Sequence, residues 1–329
     1  MKKFLFRLSL FAGILTVLVG GLCCAEIVAE ISAYRSELVA PEGADAVVCS
    51  ASKSERALDP GVWPGIFNFS ASGRAVDQVY LTAIDLFAAN PGRFRHFILE
   101  VSPEVVREDP TAPLRCLGFS AQYYLLHLLH RDEGTRPLDG IVKVARDNLA
   151  GRRLRDYSKA LRGKKPFRSA LGGGFSPSTR CGRLTEPDWF KARVERVSRE
   201  CDPGLDAFDP DAPALSVIAR TIDLAQSNGA DVVILSCPWH RDLLAACGTN
   251  RVERFSALIR AFAVERNCRY LDLSRMDLPD DCWVDGNHVN VKGASSVTSV
   301  VRDFVGRAAG AAARRISEAG RDRRPRKGR

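Results

Sequence analysis

Short apolar runs alternating with amphipathic helical stretches constrain the fold of this chain more than any other feature. Ala44 to Cys49, Ile66 to Phe69, His96 to Val101, Asp231 to Ser236 and Arg269 to Leu273 are brief and mostly apolar, as strands buried on both faces read. Helical periodicity fills the gaps over Val76 to Ala89, Ala214 to Ser227 and Arg251 to Arg266, and Lys292 to Ala308 closes the series. Pro213 opens the second of these helices and Asn228-Gly229 stops it. The pattern predicts an α/β fold: a doubly wound, flavodoxin-like parallel sheet over residues 44–309 with helices on both faces. Its ligand crevice is expected at the carboxyl ends of the strands. From about Pro110 to Pro210 the alternation lapses into a helical and loop insertion, 110–210, read as a lid or substrate-binding platform. Within it, Phe119 to His130 reads as a helix, and the basic stretch Gly151 to Gly182 contains Gly172-Gly-Gly174, read as a hinge.

The formal charge of +9 over 329 residues points away from nucleic acid once it is located. Residues 1–7, 151–170 and 314–329 carry +3, +7 and +6, which leaves −7 for the rest of the chain. The body therefore has no phosphate-tracking surface. Residues 310–329 read as a basic, disordered tail. Lys2, Lys3 and Arg7 precede an uncharged run from Leu8 to Ala25. That arrangement reads as an N-terminal signal anchor, 1–25, with the N-terminus inside and the domain exported. A cleaved signal peptide and a secreted chain are the alternative, because Cys23-Cys24-Ala25 offers small residues before Glu26. Residues 26–43 follow as a juxtamembrane helix.

Eight cysteines lie beyond the apolar run, and no Cys-x-x-Cys pair occurs. An exported domain permits disulfides; Cys181 with Cys201, and two among Cys247, Cys268 and Cys282, are the expected pairs. No metal site or cofactor is expected. His127 and His130 lie three apart on a helix but without neighbouring carboxylates or thiolates, and Gly172-Gly-Gly174 lacks the lysine of a phosphate-binding loop. Tyr123, Tyr124 and Trp189 read as core.

Chemistry concentrates at two strand ends. Asp285-Gly-Asn-His288-Val-Asn-Val-Lys-Gly293 puts a carboxylate three residues before an imidazole on a tight turn, a spacing that lets an acid orient a base. Far upstream, Cys49-Ser50-Ala51-Ser52 joins the first strand to its helix, where a serine oxygen would sit beside free backbone amides. Ser52 is the candidate nucleophile. Ser50 and Ser54 flank it, and an N-cap serine would read the same way.

These blocks, with Asn68-Phe-Ser-Ala-Ser-Gly73, the strand His96 to Val101 and Cys237-Pro-Trp-His240, resemble the SGNH (GDSL-like) hydrolase superfamily. The resemblance points in particular to its membrane-anchored bacterial branch of exopolysaccharide and alginate O-acetylation proteins, and it spans most of the chain except the insertion. It implies Ser52 as nucleophile, His288 as base, Asp285 as orienting acid, and the amides of Ser52 and Gly73 as oxyanion donors. It also implies two-step acyl transfer to water or a sugar hydroxyl. Ser50-Ala51 stands where the family has Gly-Asp, and Val101-Ser-Pro-Glu104 where it has Gly-x-Asn-Asp, so the oxyanion asparagine is missing. Asn68 and His240 are candidate substitutes, and Trp239 and His240 candidate substrate-binding residues. The expected function is an extracytoplasmic serine esterase or O-acyltransferase in the bacterial inner membrane, acting on acylated cell-surface carbohydrate. Polysaccharide-modification proteins are its expected partners. A non-catalytic binding or assembly component of such a system is the alternative, and a plain lipase or thioesterase ranks third.

Overall fold

The computed structural model describes residues 28–106, 172–206 and 212–322, with isolated positions at 10, 11, 13, 21 and 130; in the last helix side chains are described to residue 307. Five strands, β1 (Ala46–Val48), β2 (Ile66–Asn68), β3 (His96–Glu100), β4 (Asp231–Ser236) and β5 (Arg269–Asp272), form one sheet in the order β2-β1-β3-β4-β5. Every pairing is parallel, with Val47 opposite Phe67 and Phe97, Phe97 opposite Val232, and Ile234 opposite Tyr270. This is the expected open α/β sheet. Val47, Val48, Phe97, Ile98, Val233 and Ile234 are fully buried; each such side chain contributes roughly 1.5–3 kcal/mol on leaving water. Apolar residues at successive positions, rather than every second one, are what a strand covered on both sides requires.

Residues 28–37 form α1. It docks on the domain through buried Tyr34, whose hydroxyl donates to Asp85 at 2.8 Å. After β1 comes α2 (Ser52–Ala57), after β2 α3 (Val76–Ala89), and after β3 the short α4 (Pro103–Val106). From the second half of the expected insertion come α5 (Gly182–Thr185) and α6 (Pro187–Asp206). Then follow α7 (Pro213–Ser227) before β4, α8 (Arg241–Cys247) and α9 (Thr249–Glu265) before β5, and α10 (Val291–Asp322). Asn290 starts α10 by accepting the amides of Lys292 at 3.0 Å and Gly293 at 3.3 Å, satisfying donors that the first turn leaves free. Thr298 on α10 bonds both the Ala57 carbonyl, at 3.1 Å, and the Asp59 amide, at 2.9 Å. The last helix is thereby fixed to the end of the helix that begins at Ser52.

Three expectations change. Gly172-Gly-Gly174 is not a free hinge: Gly174 donates to the Ser70 carbonyl at 3.0 Å, and a Cβ on Gly173 would lie 2.3 Å from the Phe69 oxygen. Gly173 has no room for a side chain because two backbones touch there. The tail expected from residue 310 is helical to Asp322, since the alanine-rich stretch around Ala311 to Ala313 favours helix. No disulfide joins the described cysteines. Cys201 faces Cys247, not Cys181, and the thiol–thiol contact and burial raise the Cys201 pKa; Cys181 instead meets the Asp281 carbonyl at 3.3 Å. Separately, no helix among the described residues is long and apolar enough to cross a membrane. The run Leu8 to Ala25 falls almost wholly outside those residues, as do Tyr123, Tyr124, His127 and the basic stretch 151–170.

Candidate active site

Three side chains from the two ends of the sequence converge at the carboxyl edge of the sheet. Ser52 is the first residue of α2, with Ala51 in the capping position and no side-chain cap. The flanking serines are committed elsewhere. Ser50 donates to the Glu100 carbonyl at 3.1 Å, and Ser54 bonds Ser70 at 3.0 Å. Only Ser52 of the three faces the cavity, and its Oγ lies 2.8 Å from His288 Nε2.

His288 and Asp285 are held by a turn that orders itself. Asp285 Oδ1 accepts the backbone amides of Asn287 at 3.1 Å and His288 at 2.9 Å, and the His288 ring Nδ1 at 2.9 Å. Outside the turn, the Val284 amide donates to the His288 carbonyl at 2.9 Å and the His240 amide to Gly286 at 2.9 Å. Burial by itself raises the Asp285 carboxyl pKa. The His288 bond, the Asn287 amide and the Arg193 guanidinium at 3.4 Å outweigh burial and hold it at about 2. An ionised carboxylate only accepts, so Nδ1 carries the proton. Nε2 then presents its lone pair to the Ser52 hydroxyl, the tautomer a base needs.

The cavity in front of Ser52 has a volume of about 680 Å³, lined by Ser52, Gly73 and His288 on the triad side, a size suited to a small-molecule group. The amides of Ser52 and Gly73 make no hydrogen bond to any described residue, and Gly73 has φ +73°, a conformation costly for residues with a Cβ.

Asn68 takes no part as an oxyanion donor. Both hydrogens of its buried amide are spent on the Ser54 and Leu58 carbonyls, at 2.9 and 2.8 Å, and its oxygen accepts the Ser70 amide at 3.1 Å. Its role is to hold the loop after β2 against α2. His240 and Trp239 also lie outside the cavity. His240 is buried edge-on between Phe190 and Trp283, caps α8 by accepting the Asp242 amide at 3.1 Å, and meets Asp280 at 3.3 Å. Burial lowers its pKa despite those carboxylates. Trp239 is buried with its ring 5.6 Å from the Lys53 ammonium.

The opposite wall comes from the expected insertion. Trp189, Ala192, Arg193 and Arg196 of α6 line the cavity together with Arg180 and with Arg56 of α2. Trp189 is thus half-buried, packed against the core and lining the wall at once, with the Arg180 guanidinium 3.7 Å from its ring centroid. The 189, 192, 193, 196 spacing marks one face of a helix that the sequence reading did not single out. Its destination was not legible either, because the insertion lacks the strand alternation that places the other helices. Among the described residues no cluster of His, Cys, Asp and Glu could hold a metal ion.

Compared with known proteins, the chain matches no family model and no curated sequence.

Proposed function

We propose that this chain is a serine esterase or O-acyltransferase of the SGNH type, acting outside the cytoplasm on acylated cell-surface carbohydrate. The observation that carries the reading is the continuous Ser52–His288–Asp285 hydrogen-bond chain, 2.8 Å and 2.9 Å, opening on a cavity. In this mechanism Ser52 Oγ attacks the ester carbonyl while its proton passes to His288 Nε2. Asp285 stabilises the resulting imidazolium without taking its proton. The carbonyl oxygen becomes an oxyanion, received by the amides of Ser52 and Gly73; each such donor supplies about 3 to 4 kcal/mol in acyl-transfer enzymes. Collapse breaks the ester C–O bond, and the departing alcohol takes the proton from Nε2. Water or a sugar hydroxyl then attacks the acyl-serine by the reverse sequence and frees Ser52. The missing family asparagine leaves two backbone amides to serve the oxyanion. Anchoring by residues 1–25 and association with polysaccharide-modification proteins belong to the same proposal.

One observation favours the alternative of a non-catalytic binding component: no asparagine or glutamine lines the cavity among the described residues. A fluorophosphonate probe separates the two. Stoichiometric labelling of the full chain that vanishes in Ser52→Ala supports the enzyme; folded protein that stays unlabelled supports the binding component.

A further inference from the structure

The charge of the cavity is opposite to that of the chain's main body. Arg56, Arg180, Arg193 and Arg196 line it against the single carboxylate of Asp285, which His288 already engages. Three of the arginines have carboxylate partners: Arg180 with Glu186 at 2.8 Å, Arg196 with Glu200 at 2.8 Å, and Arg193 with Asp285 at 3.4 Å. Arg56 is different. It forms no ion pair or hydrogen bond with any described residue, and its Nε is buried without a partner. The residue is half-buried; an N–H shielded from water without a partner is costly, and an anion bound in the cavity would supply the acceptor. Arg56 also lies four residues after Ser52 on the same helix, so its side chain flanks the nucleophile on one helical face. A guanidinium in that position offers paired donors to a planar or tetrahedral oxyanion group.

We propose that the substrate carries a negative charge, a carboxylate or a phosphate, close to the ester that Ser52 attacks, with Arg56 as its principal partner and Arg193 and Arg196 adding a positive field. This inference names a substrate class and rests on the serine-esterase reading. A neutral sugar ester could accept hydrogen bonds from Arg56 but would gain nothing from the positive field of the three guanidiniums.

The test uses the full chain and three aryl acetates differing chiefly in charge: 4-acetoxybenzoate, its methyl ester, and 4-acetoxyphenyl phosphate, each rate normalised to hydroxide hydrolysis. The expected result is a kcat/KM about tenfold or more higher for the charged esters than for the methyl ester. That ratio should fall with added salt, collapse in Arg56→Gln and persist in part in Arg56→Lys. The larger of the two charged rates tells carboxylate from phosphate. In parallel, calorimetry measures 4-hydroxybenzoate and phenyl phosphate binding to Ser52→Ala, with and without Arg56→Gln. Ester turnover with no preference for charge overturns the anionic-substrate inference and leaves the esterase standing. Arg56-dependent anion binding with no ester turned over supports the inference and overturns the esterase. Neither turnover nor Arg56-dependent binding overturns both.

Discussion

Lys53 donates its ammonium to Glu104 across 2.7 Å, in an interior where Glu100 stands 4.0 Å away on the other side. The other oxygen of Glu104 accepts the side-chain amide of Asn287 at 3.3 Å. Lys53 follows Ser52 in sequence, and Asn287 precedes His288. One half-buried carboxylate thereby ties together the segments that carry Ser52 and His288, from the position where the superfamily resemblance leads one to expect Gly-x-Asn-Asp. Burial raises the Glu104 pKa, but Lys53 overrides it and holds the carboxyl at about 2. Glu100, with the weaker share of the ammonium, is raised by burial.

Removing one member of that pair strands a buried charge. Lys53→Met is expected to cost about 3–5 kcal/mol of stability, and Lys53→Met with Glu104→Leu to recover most of it. Urea unfolding of the two variants decides this; a double variant no more stable than the single would mean that the pair is not the origin of the loss.

Asp285→Asn removes the charge that sets the His288 tautomer. Turnover of an ester substrate should drop about 10³- to 10⁴-fold with KM little changed. Steady-state kinetics within tenfold of the parent would take Asp285 out of the mechanism.

The same carboxyl makes stability depend on acidity. Its folded pKa of about 2 lies below the ordinary 3.8, so folding favours the ionised form. The stabilisation, of order 2 kcal/mol, is complete above roughly pH 5 and disappears as pH falls through about 2. The gap in unfolding free energy between the parent and Asp285→Asn should therefore narrow from pH 5 toward pH 2. A constant gap contradicts the depressed pKa.

Asn68→Ala leaves the Leu58 carbonyl and the Ser70 amide without partners in the interior, at about 1–3 kcal/mol each, while the Ser54 carbonyl keeps the Leu58 amide at 3.2 Å. The expected result is a large fall in thermal stability. A variant with unchanged melting but a hundredfold lower kcat would instead restore Asn68 to the oxyanion site.

The elements that could be read in advance are those whose signals are local. The helix Val76–Ala89 and the strand Asp231–Ser236 have the bounds expected from their residue patterns, and the Asn228-Gly229 stop ends α7 at Ser227. Ser52, His288 and Asp285 could be named because strand ends in a parallel sheet bring distant segments to one rim. The sequence did not reveal what depends on three-dimensional closure. Asn68 has a side chain fit for an oxyanion donor, and only the path of α2 toward Leu58 shows where its hydrogens go. His240 stands at a strand end as a ligand would, yet α8 turns back over it and takes its ring nitrogen as a cap. The arginine wall joins residue 56 to a helix more than a hundred residues later, a meeting that no periodicity announces.

Arg193 belongs to the insertion helix yet reaches Asp285. Transplanting α6 from a homologue to change what the cavity accepts would thus also alter the acid that steers the imidazole. On the proposed esterase reading, selectivity and rate share one guanidinium, so a redesign of the wall must carry a cation at position 193 or accept a changed partner for Asp285.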